Sequence, residues 1–186
     1  MLFDQGLGDI FTIRVAGNCL DVGSRGSLEC VGVACERDAV GMHCRPRNAR
    51  VATLLTFPSH SSWFSFSFLS ISCRYAVAHL GVKVVVIMGH EFCGAVGAAM
   101  GDTSVHPPSL KLLLDGIQEG LPLARLSAIM DKKARDREAV LTNVHNQVAT
   151  LMKDPLVKDK VDAGVLIVIG AFYSLSSGVV DFVAAV

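Results

Sequence analysis

Two short runs constrain this chain more than anything else in it. Val84–Met88 and Val165–Ile169 are wholly apolar, and Gly89, Gly164 and Gly170 punctuate their ends. A strand with one wet face alternates polar and apolar residues. A strand without alternation has both faces covered. Such strands belong to parallel sheets with helices packed on them, so the pattern predicts an α/β fold: a mainly parallel central sheet flanked by helices. Residues 82–88 and 164–170 are read as its two buried strands. Residues 10–15, Ile-Phe-Thr-Ile-Arg-Val, are read as a third, ended by Gly17-Asn18. These three are expected side by side. Tyr173 to Gly178 reads as a turn, and Val179–Val183 as a short edge strand.

Helices fill the intervals. Residues 74–80 read as the end of a helix stopped by Gly81, and Cys93 to Met100 are small and helix-compatible. Residues 102–109, with Pro107 and Pro108, read as loop. Residues 110–134 carry a helical pattern interrupted by Gly116, Gly120 and Pro122. The best helix is 136–152, where Val140, Val144, Val148 and Leu151 recur at helical spacing. Arg137, Asn143 and Gln147 are read as lying off that stripe, and Pro155 as its end.

Composition excludes several classes of function. The 186 residues fit one domain and can bury a sizeable core. Lys+Arg and Asp+Glu are both 17, so the chain has no basic surplus to hold nucleic acid and no polybasic membrane patch. At 51% hydrophobic residues it is too apolar for disorder. No apolar run reaches the roughly 18 residues of a spanning helix. Six cysteines could form a disulfide framework in a small secreted protein, but a chain this rich in core does not need one. Asp4, Asp9 and Arg14 interrupt any signal-type segment, so a reducing compartment, cytoplasm or organelle, is the expectation.

Residues 30–74 stand apart. Their first half is rich in Cys and Arg, and Phe57–Ser72 is dominated by Phe and Ser. A long stretch without periodicity inside a domain is read as an irregular insertion. The spacings among Cys30, Cys35, Cys44, Cys73 and His43 match no zinc pattern, so these are read as incidental.

From Tyr75 to Val96 the chain resembles the β-class carbonic anhydrases, through Gly89-His90-Glu91-Phe92-Cys93-Gly94 placed directly after a buried strand. Three further stretches carry the resemblance in the same order. They are Gly8-Asp9-Ile10-Phe11 through Gly17-Asn18, Asn143-Val144 with Gln147-Val148, and Gly164–Gly170 followed by Tyr173, Leu175 and Gly178. It covers about residues 2–29 and 75–183.

The resemblance implies a zinc enzyme that hydrates CO2 to bicarbonate and assembles as a homodimer or larger oligomer. It implies His90 and Cys93 as two of the metal ligands, and Gly17 and Asn18 in the substrate region. The family's first ligand Cys and its Asp–Arg pair sit in a Cys-x-Asp-x-Arg motif. That motif occurs nowhere in these residues, and the expectation is that it falls ahead of Met1, with the first strand. The zinc site is thus expected to be incomplete and its catalytic Asp–Arg pair absent. Cys19 is the one further thiol near a strand end in the resembling part. In the family a Ser-Leu-Glu helix start runs straight into Tyr-Ala-Val. Here Ser27-Leu28-Glu29 and Tyr75-Ala76-Val77 are separated by residues 30–74, which read as a retained intron.

Without the resemblance, His90 and Cys93 are a buried polar pair at a strand end. Asp9 and Arg14 are ion-pairing or capping residues as readily as active-site charges. His79 and His145 lie on presumed helices and are expected to be partly exposed, Tyr173 to pack, and Met88 and Met100 to fill core. Two alternatives to an active carbonic anhydrase remain. One is an inactive carbonic-anhydrase-like subunit that acts by dimerising, and the other a related hydrolase of a CO2-like small molecule.

Overall fold

The computed structural model describes residues 10–13, 51–54 and 73–185. Five strands form one sheet in the order β1-β2-β3-β4-β5: Ile10–Ile13, Val51–Leu54, Val84–His90, Ile167–Tyr173 and Val180–Ala185. The first four are parallel, and β5 closes one edge antiparallel to β4. β3 and β4 are in register over their whole length, from Val84 opposite Ile167 to His90 opposite Tyr173. The two runs without alternation are therefore the paired centre of the sheet, as their composition requires.

Two expectations about the sheet change. β1 and β3 are not neighbours. β2 lies between them, with Val51 opposite Ile10 on one side and Val84 on the other. β2 also falls inside 30–74, so that segment is not irregular throughout. The remainder of it, apart from Cys73 and Arg74, lies outside the described residues, as do Asp9, Arg14, Gly17, Asn18 and Cys19.

A π-helix, Ala76–Leu80, enters β3 through Gly81, whose φ of 64° closes the helix in the left-handed conformation that glycine adopts without steric cost. Five α-helices follow: α1 Gly94–Ala99, α2 Pro108–Glu119, α3 Leu123–Ser127, α4 Lys132–Leu151 and α5 Pro155–Asp162. α4 starts earlier than its apolar stripe, because the Asp131 side chain accepts the Ala134 amide at 2.7 Å and caps it. α5 was not foreseen. Pro155 does not merely end the preceding helix. It occupies the first turn of the next, behind an Asp154 cap that accepts from Leu156 N at 2.9 Å.

The described helices pack on the sheet face that carries Val85, Ile87, Val168 and Phe172. One cluster joins Val85, Ile87 and Val168 to Val144, Val148 and Leu151 of α4, Val157 of α5 and Ala76 and Val77 of the π-helix. A second joins Phe172 to α1, α2, α3 and the start of α4. The opposite face buries Val86, Met88 and Ala171, with Tyr173 packed against them.

Asn143 and Gln147 are buried, at 1% and 2% exposure, against the reading that set them off the stripe. Helical geometry explains it. Gln147 is seven residues after Val140, two turns on, and so faces the sheet with it. Gln147 Nε2 donates to Asn143 Oδ1 at 3.3 Å, while Gln147 Oε1 is buried with no hydrogen-bond partner. His79 and His145 are exposed, as expected.

Candidate metal-binding half-site

His90 is the last residue of β3, and Cys93 is the cap residue before α1. The strand runs out at Gly89-His90, two residues turn the chain, and a run of small residues starts a helix. The side chains of His90 and Cys93 meet in a hydrogen bond at the C-terminal end of the sheet's central strand. Cys93 is buried at 9% exposure. Burial pushes its thiol up, but the His90 hydrogen bond and the backbone amides of Val96 and Ala95 outweigh it. The thiol lies below its ordinary value.

His90 Nδ1 lies 2.9 Å from the carbonyl oxygen of Glu91. A carbonyl only accepts, so Nδ1 carries the proton in that contact. The carbonyl belongs to the Glu91–Phe92 peptide, and Phe92 has a φ of 58°, the one positive φ on a non-glycine residue among the described residues. For an L-residue that conformation costs about 1–2 kcal/mol. Phe92 is 66% exposed, so core packing of its ring does not impose it.

Glu91 is what sequence reasoning missed. It sits in a variable slot of the motif, yet it is 6% exposed and fully engaged. Oε1 pairs with Lys133 Nζ of α4 at 2.9 Å. Oε2 accepts from Ser176 N at 2.9 Å and Ser174 Oγ at 3.2 Å, both in the β4–β5 turn. Its own amide donates to Tyr173 O at 2.8 Å. Lys133 first, then the Ser176 amide, hold the carboxyl down to about 2.

Beside this turn lies a cavity of about 330 Å³, lined by Glu91, Phe92, Lys133, Arg137, Phe172 and Asp181 among others. Arg137 lies 4.7 Å above the Phe172 ring and pairs with Asp181 at 2.9 Å. His90 and Cys93 do not line it.

As a donor set, an imidazole and a low-lying thiol suit zinc in kind. They fall short in number. A catalytic zinc site uses three protein ligands, and among the described residues no three His, Cys, Asp or Glu side chains come together to hold a metal.

The carbonic anhydrase family model matches residues 54–180, more than half of the chain. Carbonic anhydrase 2 of Mycobacterium tuberculosis is 26% identical over 179 residues, covering 96% of this chain and 64% of that protein. The chain thus spans just under two thirds of that relative's length. A carbonic anhydrase of Emericella nidulans is 33% identical over 108 residues, covering 56% of this chain and 46% of that protein. In three dimensions the chain is similar to a β-carbonic anhydrase of Sordaria macrospora, described as tetrameric. The TM-score is 0.59 at 28% identity, over 63% of this chain and 60% of that one. A β-carbonic anhydrase of Aspergillus fumigatus matches at TM-score 0.55 and 27% identity, over 61% of this chain and 54% of that one. With a parallel sheet of the same kind and its His-x-x-Cys pair at the end of the central strand, the chain belongs to the β-carbonic anhydrase family.

Proposed function

We propose that this chain carries half of the zinc site of an enzyme that reversibly hydrates CO2 to bicarbonate, with His90 and Cys93 as metal ligands. The single observation that supports this best is the His90–Cys93 contact at the end of β3, inside the segment matched to the family. Bound zinc would supply a water acidic enough to ionise near pH 7 (pKa about 7). Among the described residues, His90 and Cys93 do not by themselves complete the metal's coordination.

The residues that are present would act as follows. Cys93 offers a thiol whose ionisation is favoured by His90 and the first amides of α1. His90 offers an imidazole whose other nitrogen is tied to Glu91 O. Gly17 and Asn18 belong to the substrate region in this reading. The third ligand and the Asp–Arg pair would come from a Cys-x-Asp-x-Arg run, which these 186 residues do not contain. Assembly as a homodimer or larger oligomer is part of the same proposal, supported by the tetrameric relative. Among the described residues no helix is long and apolar enough to cross a membrane.

One observation favours a second reading for the 186 residues taken alone. With two donors among the described residues, the chain is an inactive carbonic-anhydrase-like subunit until the missing ligand is supplied. Zinc content and stopped-flow CO2 hydration decide between them. Residues 1–186 should retain zinc well below one equivalent after dialysis and hydrate CO2 little faster than buffer. The same chain preceded by a Cys-x-Asp-x-Arg strand should gain both. An extended protein that binds zinc and does not hydrate CO2 would leave the inactive reading standing, or the related hydrolase.

A further inference from the structure

The cavity of about 330 Å³ beside the β4–β5 turn has no part in the metal half-site, since neither His90 nor Cys93 lines it. Its volume falls in the range of small-molecule sites, roughly 300–1,000 Å³. α4 gives it Lys133, Arg137 and Val140, whose helical spacing puts all three on one stripe. The stripe runs from charged to apolar. The sheet adds Phe172, whose ring lies 4.7 Å from the Arg137 guanidinium. Phe92 adds a second aromatic wall from a strained backbone, φ 58°, with its ring 66% exposed. The strain brings that ring to the cavity and not to the core, and strained residues of this kind gather at ligand clamps.

The charges decide what such a cavity can hold. Its three carboxylates are each matched by a cation: Glu91 by Lys133, Asp136 by Lys132 and Asp181 by Arg137. Both Glu91 oxygens are taken and its side chain is 7% exposed, so it has no acceptor to offer a ligand. Asp136 and Asp181 each keep one oxygen outside these pairs. Lys133 and Arg137 keep more: an ammonium has three N–H donors and a guanidinium five, and each spends one on its carboxylate. Donors are in surplus, so an anion satisfies this rim better than a cation does.

We propose that this cavity binds a small aromatic carboxylate, its ring on the apolar wall of Phe92, Phe172 and Val140 and its carboxylate on the uncommitted donors of Lys133 and Arg137. The planar guanidinium fork suits a carboxylate in particular. The site is separate from the His90–Cys93 pair and does not rest on the carbonic anhydrase reading.

The test is a titration of residues 1–186 with 2-naphthoate, followed in the protein's 1H–15N spectrum. The protein is first stripped of metal by chelation, so that no metal competes for the carboxylate. The parent should show saturable shifts around Phe92 and Ser177, with a Kd below about 1 mM. Arg137→Gln should weaken binding by about 10-fold or more, and Phe92→Ala by about 3-fold or more. Lys158→Gln, on α5 and outside the cavity lining, should leave it unchanged. Should Arg137→Gln not fold, Lys133→Gln takes its place and should weaken binding in the same direction. Absence of saturable shifts in the parent up to about 10 mM overturns the proposal. So does binding of 2-naphthylmethanol or 2-naphthylmethylamine as tight as that of 2-naphthoate, which would make the cavity an apolar or a cation site. So does full affinity for 2-naphthoate in either Phe92→Ala or the cation variant.

Discussion

Lys133 Nζ lies 2.9 Å from Glu91 Oε1, and this pair ties the first turn of α4 to the turn that leaves β3. The two residues differ sharply in burial: the Lys133 side chain is 66% exposed and that of Glu91 7%. An exposed partner is replaced by water at little cost, whereas a buried carboxylate that loses its donors is not. The bond therefore serves the turn more than it serves α4.

The strain at Phe92 should be visible in stability. Glycine takes a φ of 58° freely, and the Phe92 ring is mostly exposed. Phe92→Gly should fall within about 0.5 kcal/mol of the parent, because relief of strain offsets the greater freedom of the unfolded chain. Phe92→Val should cost a further 1–2 kcal/mol or so, since a β-branched residue tolerates that conformation worse. Urea unfolding of the three proteins gives the order, and a Val variant as stable as the Gly variant would remove the strain from the account.

Gln147 sits where an apolar residue would serve. Its Oε1 is buried with no hydrogen-bond partner, among side chains packed on the sheet. Gln147→Met keeps the volume and removes the orphan acceptor but also the long hydrogen bond to Asn143 Oδ1, so the two changes offset and stability should change by less than about 1 kcal/mol. Ile87→Ala, fully buried in the sheet beneath, should cost roughly 2–5 kcal/mol. A Gln147→Met protein as damaged as Ile87→Ala would show that the amide has a partner of consequence.

Acid stability should depend on Asp115. Its carboxyl is held below the usual range by Lys111 first and by the Thr103 hydroxyl second. A carboxylate with a lowered folded pKa contributes stability above its unfolded value, near 3.9, and loses it as pH falls through the lower folded value. Asp115→Asn should therefore be less stable than the parent at neutral pH and flatter in its stability–pH curve below about pH 4. Parallel curves for the two proteins down to acid would contradict this.

What the sequence disclosed tracks how local each signal is. β3 and β4 were legible because absence of alternation is a property of a few consecutive residues, and both strands stand where those runs lie, displaced by two or three positions. The His90–Cys93 pair was legible for the same reason, since a strand end followed by a helix start brings residues three apart together. β2 was not. Four residues, Val-Ala-Thr-Leu, within a stretch of no periodicity gain their identity only from β1 and β3 on either side. The buried place of Asn143 and Gln147 was available from helical angle alone, but residue type argued against it. Glu91 was out of reach, because its donors in the β4–β5 turn lie 83 and 85 residues away and nothing near Glu91 announces them.

Cobalt(II) titration tests most directly whether His90 and Cys93 form a metal-binding half-site. In excess cobalt(II), residues 1–186 should show a thiolate-to-cobalt charge-transfer band. That band should vanish in Cys93→Ser, weaken in apparent affinity by roughly 10-fold or more in His90→Ala, and persist in Cys19→Ser. A band that survives Cys93→Ser, or one that is lost with Cys19→Ser instead, would contradict the account.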